Sequence, residues 1–163
     1  MTNKWNFQKP TEEENRISKE LADKLAISPV ICQLLVKRGI TTEEEANKFF
    51  KPSLNDLHDP FLMPDMDKAV KRLNKALGER EKILVYGDYD VDGTTAVSLV
   101  YKFLRPYTSL LDYYIPDRYD EGYGISYKGI DYAADTDVKL IISLDCGIKA
   151  IEKIEYAKQK GID

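Results

Sequence analysis

Lys82-Ile83-Leu84-Val85-Tyr86, followed directly by Gly87-Asp88-Tyr89-Asp90-Val91-Asp92-Gly93-Thr94-Thr95, is the stretch whose reading decides the fold. Its first five residues are a short apolar, β-branched and aromatic run, the pattern of a buried strand. The next nine set three carboxylates at alternate positions where that strand ends and a helix is about to begin. Like charges this close repel and raise one another's pKa unless a cation neutralises them. Carboxylate oxygens are the ligands that hard divalent ions such as Mg²⁺ and Mn²⁺ prefer. In open α/β sheets, ligands bind outside the carboxyl ends of the strands. Composition and position therefore both point to a metal site. Two plainer readings compete. Asp92 fits an N-cap, with Gly93-Thr94 in the first turn, and Asp88 fits an Asx-turn. Three acids in alternation after one buried strand favour the metal over the caps.

Outward from this stretch, the chain from residue 80 reads βαβαβα. Strands are expected at 82–87, 111–115 and 138–144, and helices at 94–104, 127–134 and 149–160. Such alternation means a parallel sheet with helices on both faces, a three-layer α/β fold joined by right-handed crossovers. The third strand ends Ser143-Leu144-Asp145-Cys146-Gly147. In a parallel sheet Asp145 then lies at the same edge as the first acid cluster; the plainer reading makes it a helix cap. Cys146 reads as a buried small residue beside an all-oxygen site. The second strand opens into Pro116-Asp117-Arg118-Tyr119-Asp120-Glu121-Gly122-Tyr123-Gly124-Ile125-Ser126, again at the carboxyl edge. Gly122 and Gly124 permit unusual backbone angles, Arg118 is a natural fork for a phosphate, and Ser126 fits the cap of the next helix.

Residues 1–79 read as a helical lead-in preceding an α/β region at 80–163. Ile17, Leu21 and Leu25 recur at helical spacing, and Ser28-Pro29 opens a helix with Val30, Ile31, Leu34 and Leu35 on one face. Gly39 reads as its C-cap, in preference to a helix-hairpin-helix DNA module around Arg38-Gly39-Ile40. Thr42 with Glu45 forms a capping box ahead of Ala46, Phe49 and Phe50. After a breaker-rich connector, Met66, Ala69, Val70, Leu73, Ala76 and Leu77 mark an amphipathic helix stopped at Gly78.

The 163 residues suit one domain, or one with a helical appendage. Net charge is −4, which argues against gripping nucleic acid by bulk charge. The N-terminus Met1-Thr2-Asn3-Lys4-Trp5 has no apolar signal segment, and no apolar stretch is long enough to span a bilayer. Cys32 and Cys146 lie far apart, which fits a reducing cytoplasm better than a disulfide framework. The final Ile162-Asp163 resembles the entry to another strand, so the chain reads as part of a longer one.

The run Val85–Thr94 resembles the first motif of the DHH phosphoesterase family. Leu35-Val36-Lys37-Arg38-Gly39-Ile40 and His58–Met66 are similar to the region preceding the catalytic core in the family's single-strand-specific DNA exonucleases. Tyr114-Ile115-Pro116 with Arg118 and Glu121–Gly124, and then Ser143–Gly147, are similar to its next two blocks. The resemblance covers nearly the whole chain. It implies a metal-dependent exonuclease that hydrolyses single-stranded DNA from the 5′ end in repair or recombination, with Mn²⁺ or Mg²⁺ in a two-metal site. Asp90, Asp92 and Asp145 match metal ligands, and Asp88 matches an acid beside the ions. Arg118 matches an arginine used on the strand's terminal phosphate, with Gly122 and Gly124 on the substrate-binding loop. Tyr86 stands where some members carry histidine, which removes a nitrogen ligand.

The Asp-His-His motif that names the family is expected a few residues past Asp163. The chain by itself is therefore expected to be inactive. It is also expected to tend to self-associate through an open sheet edge. The partners implied are single-stranded DNA and a single-strand-binding protein, with no membrane. Two other enzymes stay open: a small-nucleotide or oligonucleotide phosphodiesterase of the same family, and a haloacid-dehalogenase-type phosphatase with Asp90-Val91-Asp92-Gly93-Thr94 as its nucleophile motif.

Overall fold

The computed structural model describes residues 8–163, so the Met1–Trp5 stretch read above lies outside the described residues. The chain divides into two compact units, one ending at Pro60 and the other running Phe61–Asp163.

The first unit holds α1 (Glu12–Leu25), α2 (Pro29–Val36) and α3 (Glu43–Phe50). A capping box between Thr11 and Glu14 starts α1, and a second between Thr42 and Glu45 starts α3. Each satisfies two helix-end amides reciprocally. Pro29 occupies the first turn of α2, as expected. Its buried face differs from the expected one: Cys32, Leu35 and Val36 are buried, whereas Val30, Ile31 and Leu34 are exposed. Cys32 and Val36 stand one helical turn apart and meet Leu21 and Ala22 of α1, which decides the face. Gly39 has φ +79°; its N–H donates to the Val36 carbonyl and that of Ile40 to the Leu35 carbonyl. This is a left-handed helix cap, which a side chain would strain.

The second unit runs α4 (Met66–Gly78), β1 (Lys82–Gly87), α5 (Val91–Leu104), β2 (Leu111–Tyr114), α6 (Tyr127–Asp135), β3 (Val138–Leu144) and α7 (Ile151–Gln159). Among the described residues the strands form one parallel sheet in the order β2-β1-β3. Central β1 explains the unbroken apolar run: Ile83, Leu84, Val85 and Tyr86 are all fully buried. Strand alternation sends Ile83 and Val85 to one face, against Leu73 and Ala76 of α4 and Val97 and Leu104 of α5. Leu84 and Tyr86 face the other way, against Ile130 and Ala133 of α6 and Ala157 of α7. Each such aliphatic burial contributes about 1.5–3 kcal/mol.

The sequence pattern groups helix α4 with the lead-in, whose expected boundary at 79/80 follows where the strands begin. The contacts divide the chain at Pro60/Phe61 because α4 buries its apolar stripe on the sheet. Arg72 of α4 reinforces this, bonding Glu81 at 2.7 Å, Asp163 at 2.6 Å and the Lys139 carbonyl at 3.1 Å. Asp163 also pairs with β3, its N–H donating to Lys139 O and its carbonyl accepting from Ile141 N–H, as the strand-entry reading expected.

The path from β1 to β2 runs to one side of β1, and the return to β3 crosses to the other side. The carboxyl ends of β1 and β3 therefore flank a topological switch point, where such sheets open a crevice. Among the described residues no helix is long and apolar enough to cross a membrane.

Candidate active site at the carboxyl edge of the sheet

The acid motif is built around a close approach of helix to strand. Helix α5 begins at Val91, three residues before the expected start, because Asp90 is its cap. Asp90 Oδ1 accepts the Gly93 N–H at 2.9 Å. The Asp90 carbonyl accepts the Thr94 N–H at 3.0 Å and the Thr94 hydroxyl at 2.7 Å. Asp92, for which a cap is the plainer alternative reading, lies in the first helical turn, where its charge complements the helix N-terminus. Gly93 makes this packing possible: a Cβ there would lie 2.3 Å from the Asp88 carbonyl oxygen. Asp90 and Asp92 are exposed. Asp88 is 1% exposed, and its carboxylate reaches across the chain to accept the Gly124 N–H at 3.1 Å.

Asp145 follows β3 in the left-handed region, φ +56°, a conformation Asp tolerates better than most residues. Its carboxyl pKa is raised, first by desolvation and then by the negative charges of Asp90, Asp92 and Asp88. The sheet thus brings Asp88, Asp90, Asp92 and Asp145 to one edge, as the parallel topology required. It does not gather them round a point: among the described residues no group of three or more His, Cys, Asp and Glu is arranged to hold a metal ion. Asp90 Oδ1 is engaged by the Gly93 N–H, and Asp88 Oδ1 by the Gly124 N–H. Cys146 is buried, and its thiol is pushed up to about 11 by burial and by the charge of Asp88. It is a protonated packing residue, as its sequence setting suggests.

The loop after β2 is fastened to both strand ends. Gly124, at φ +77°, donates to Asp88, and a Cβ on it would meet the Cys146 carbonyl oxygen at 3.0 Å. The Tyr123 hydroxyl donates to the Asp145 carbonyl at 3.0 Å. The exposed Arg118 sits with its guanidinium 5.5 Å from the centre of the Tyr89 ring, between the first two acids of the motif in sequence. Gly122 supplies a left-handed turn, φ +77°, and nothing lies within 4 Å of a Cβ built there.

Three residues carry roles the sequence reading did not assign. Tyr86, read as the end of the buried strand and as a missing histidine, is fully buried. Its hydroxyl donates to the Gly124 carbonyl at 3.0 Å and accepts the Ser126 N–H at 3.0 Å. Burial raises its pKa to about 12, so it stays a neutral phenol. Its ring stacks on Tyr114, with centroids 5.3 Å apart. Glu121 accepts from the Tyr114 hydroxyl, the Ser126 hydroxyl and the Asp117 N–H. Tyrosines in strands pointing to one face, Tyr86 and Tyr114, were the available signal that polar partners had to lie nearby.

Comparison with known proteins places this geometry in a family setting. The DHH family, N-terminal domain, matches residues 82–163. The single-stranded-DNA-specific exonuclease RecJ of Bacillus subtilis (strain 168) is 38% identical over 160 residues, 98% of this chain and 20% of that protein. That of Escherichia coli (strain K12) is 33% identical over 138 residues, 83% of this chain and 23% of that protein. A crystal structure of exonuclease RecJ bound to manganese aligns with a TM-score of 0.54 at 28% identity, covering 59% of this chain and 25% of that one. RecJ from Thermus thermophilus in complex with Mn²⁺ aligns with a TM-score of 0.63 over 91% of this chain and 20% of that one; at 20% identity this likeness is one of fold. The chain spans about a fifth to a quarter of the length of these relatives.

Proposed function

This chain belongs to the DHH family, and on that premise we propose that it supplies metal-binding and phosphate-binding residues to a divalent-metal-dependent exonuclease acting on single-stranded DNA from the 5′ end. The observation that carries the reading is that the parallel sheet sets Asp90, Asp92 and Asp145 at one edge, Asp90 and Asp92 following β1 and Asp145 following β3. The donor chemistry fits: these are hard oxygen ligands in mutual repulsion, which Mn²⁺ or Mg²⁺ would relieve. Asp90, Asp92 and Asp145 would hold the ion, completed by ligands from elsewhere in the whole protein, while Asp88 keeps its bond to Gly124. When bound, such ions activate water and brace the attacking and leaving oxygens of a phosphodiester.

The chain's own contribution is placement. Arg118 offers a planar fork for a terminal phosphate, and its guanidinium lies over the ring of Tyr89, which sits between Asp88 and Asp90 in the motif. The names and manganese-bound structures of the RecJ relatives support both the substrate and the metal. The dehalogenase-type reading loses ground, because β1 ends at Gly87 and the residue directly after it is the buried Asp88, not Asp90. A single-strand-binding protein as partner, and association through an open sheet edge, are extensions of the same reading.

The test uses the whole protein that carries this chain, with single-stranded and duplex oligonucleotides. Release of nucleotides from the single strand should require Mn²⁺ or Mg²⁺, and Asp145→Asn should lower it by about 100-fold or more. Release that survives both chelation and Asp145→Asn would overturn the reading, as would a trapped aspartyl phosphate at Asp90.

A further inference from the structure

The loop between β2 and α6 carries three acids, and they behave differently. Asp117 Oδ1 accepts the N–H groups of Tyr119 and Asp120, closing a local turn. Asp120 pairs with Lys128 on the surface at 3.6 Å. Glu121 alone of the three turns inward. Oε1 accepts the Asp117 N–H at 2.8 Å, both oxygens accept the Tyr114 hydroxyl at 3.0–3.1 Å, and Oε2 accepts the Ser126 hydroxyl. Burial pushes this carboxyl group up, but the bonds from Ser126, Asp117 and Tyr114 outweigh it and hold the pKa below the usual value.

Two routes lead from Glu121 to the site. One passes through the Asp117 amide to Arg118, the next residue, whose guanidinium lies over Tyr89. The other passes through Ser126, whose N–H meets the Tyr86 hydroxyl; that hydroxyl holds the Gly124 carbonyl, and the Gly124 N–H reaches Asp88. A charged acceptor bonded on several sides fixes a loop better than neutral partners do, because charge-assisted bonds are about twice as strong.

We infer that Glu121 is a positioning residue for the phosphate-binding side of this site: it touches neither phosphate nor metal, and it sets the loop that holds Arg118 and the Gly124 amide in register with the acids. The inference rests on Arg118 binding the 5′-phosphate, as proposed above.

In the whole protein, Glu121→Ala, Tyr114→Phe and Arg118→Ala are compared with the parent on 5′-phosphorylated and 5′-hydroxyl single strands. KM and kcat are resolved separately, and thermal unfolding is followed alongside. Arg118→Ala should erase the preference for the phosphorylated strand. Glu121→Ala should raise KM for that strand by about tenfold or more, with kcat at saturation changed far less, because misplacement of a binding group acts on binding. Tyr114→Phe, which removes one donor and keeps the ring, should shift KM the same way by less, and serves if Glu121→Ala fails to fold.

If Arg118→Ala erases the preference while Glu121→Ala and Tyr114→Phe leave KM at the parent value, Glu121 does not position the loop and the reading of Arg118 stands. If the Glu121 variant loses kcat equally on both strands with the preference intact, its role is only structural and the inference falls. If Arg118→Ala leaves the preference unchanged, the reading of Arg118 falls and this inference with it.

Discussion

Replacing Gly93 with alanine tests whether the acid motif is held by the helix pressing on the strand end. A Cβ at this position would stand 2.3 Å from the Asp88 carbonyl oxygen and 2.7 Å from the Asp88 nitrogen, where ordinary contact begins at 3.4 Å. The obstructing atoms are backbone, so no side chain can swing aside, and the first turn of α5 must retreat from β1 by about 1 Å. Overpacking of this kind costs about 1–3 kcal/mol. Against it, alanine gains up to about 1 kcal/mol over glycine in a helix interior, and less in a first turn. The balance is a loss of about 1–2 kcal/mol, or a fall in Tm of roughly 2–8 °C for a chain of this length.

Gly78, the last residue of α4, is the control. Nothing lies within 4 Å of a Cβ there, so Gly78→Ala should leave stability unchanged or raise it by up to about 1 kcal/mol. Urea unfolding followed by circular dichroism measures both. The retreating turn carries Asp90 and Asp92, so Mn²⁺ affinity measured by calorimetry on the whole protein should fall with Gly93→Ala and hold with Gly78→Ala. A Gly93→Ala protein with the parent's unfolding midpoint and Mn²⁺ affinity would refute the reasoning.

Two further outcomes follow from the same contacts. Asp90→Asn should abolish Mn²⁺ or Mg²⁺ binding with little change in stability, because Asn caps a helix as well as Asp; Asp90→Ala should lose the ion and about 1 kcal/mol besides, and an Asn variant that binds the ion like the parent would make the motif purely structural. The Glu121 pKa is lowered from its ordinary 4.5, so its stabilisation is fully present above that value and is lost as pH falls through the folded value. The stability gap between the parent and Glu121→Gln, read from urea midpoints, should therefore shrink as the pH drops below about 4.5, and a gap that stays constant down to about pH 3 would show that the carboxylate charge is not what holds the loop.

What could be read in the sequence follows from how local each cause is. β1 and β3 were legible to the residue because burial leaves an apolar run of the right length, and parallel pairing then put Asp145 at the edge of Asp90 without any knowledge of contacts. The start of α5 was not legible. Asp88, Asp90 and Asp92 are all acceptable caps, and the choice is made by Gly93 meeting the Asp88 backbone, a contact that periodicity does not encode. The stripe on α4 announced a helix with one apolar face, but a stripe names no partner, so its place on the sheet had to come from the structure. The role of the Tyr86 hydroxyl was not legible, since its partners Gly124 and Ser126 lie 38 and 40 residues away.

The acids themselves show why a site motif is hard to separate from a folding motif. Asp90 caps the helix that carries Asp92, and Asp88 anchors the loop that carries Arg118. Losing either carboxylate therefore removes a structural bond together with a charge. Only substitutions that keep the hydrogen-bond acceptor can tell the two apart. At the exposed Asp90 an amide can fill that role at no desolvation cost. At Asp88, 1% exposed, an amide brings N–H groups into a buried setting where each needs an acceptor, so Asp88→Asn should disturb the Gly124 loop even before any ion is considered.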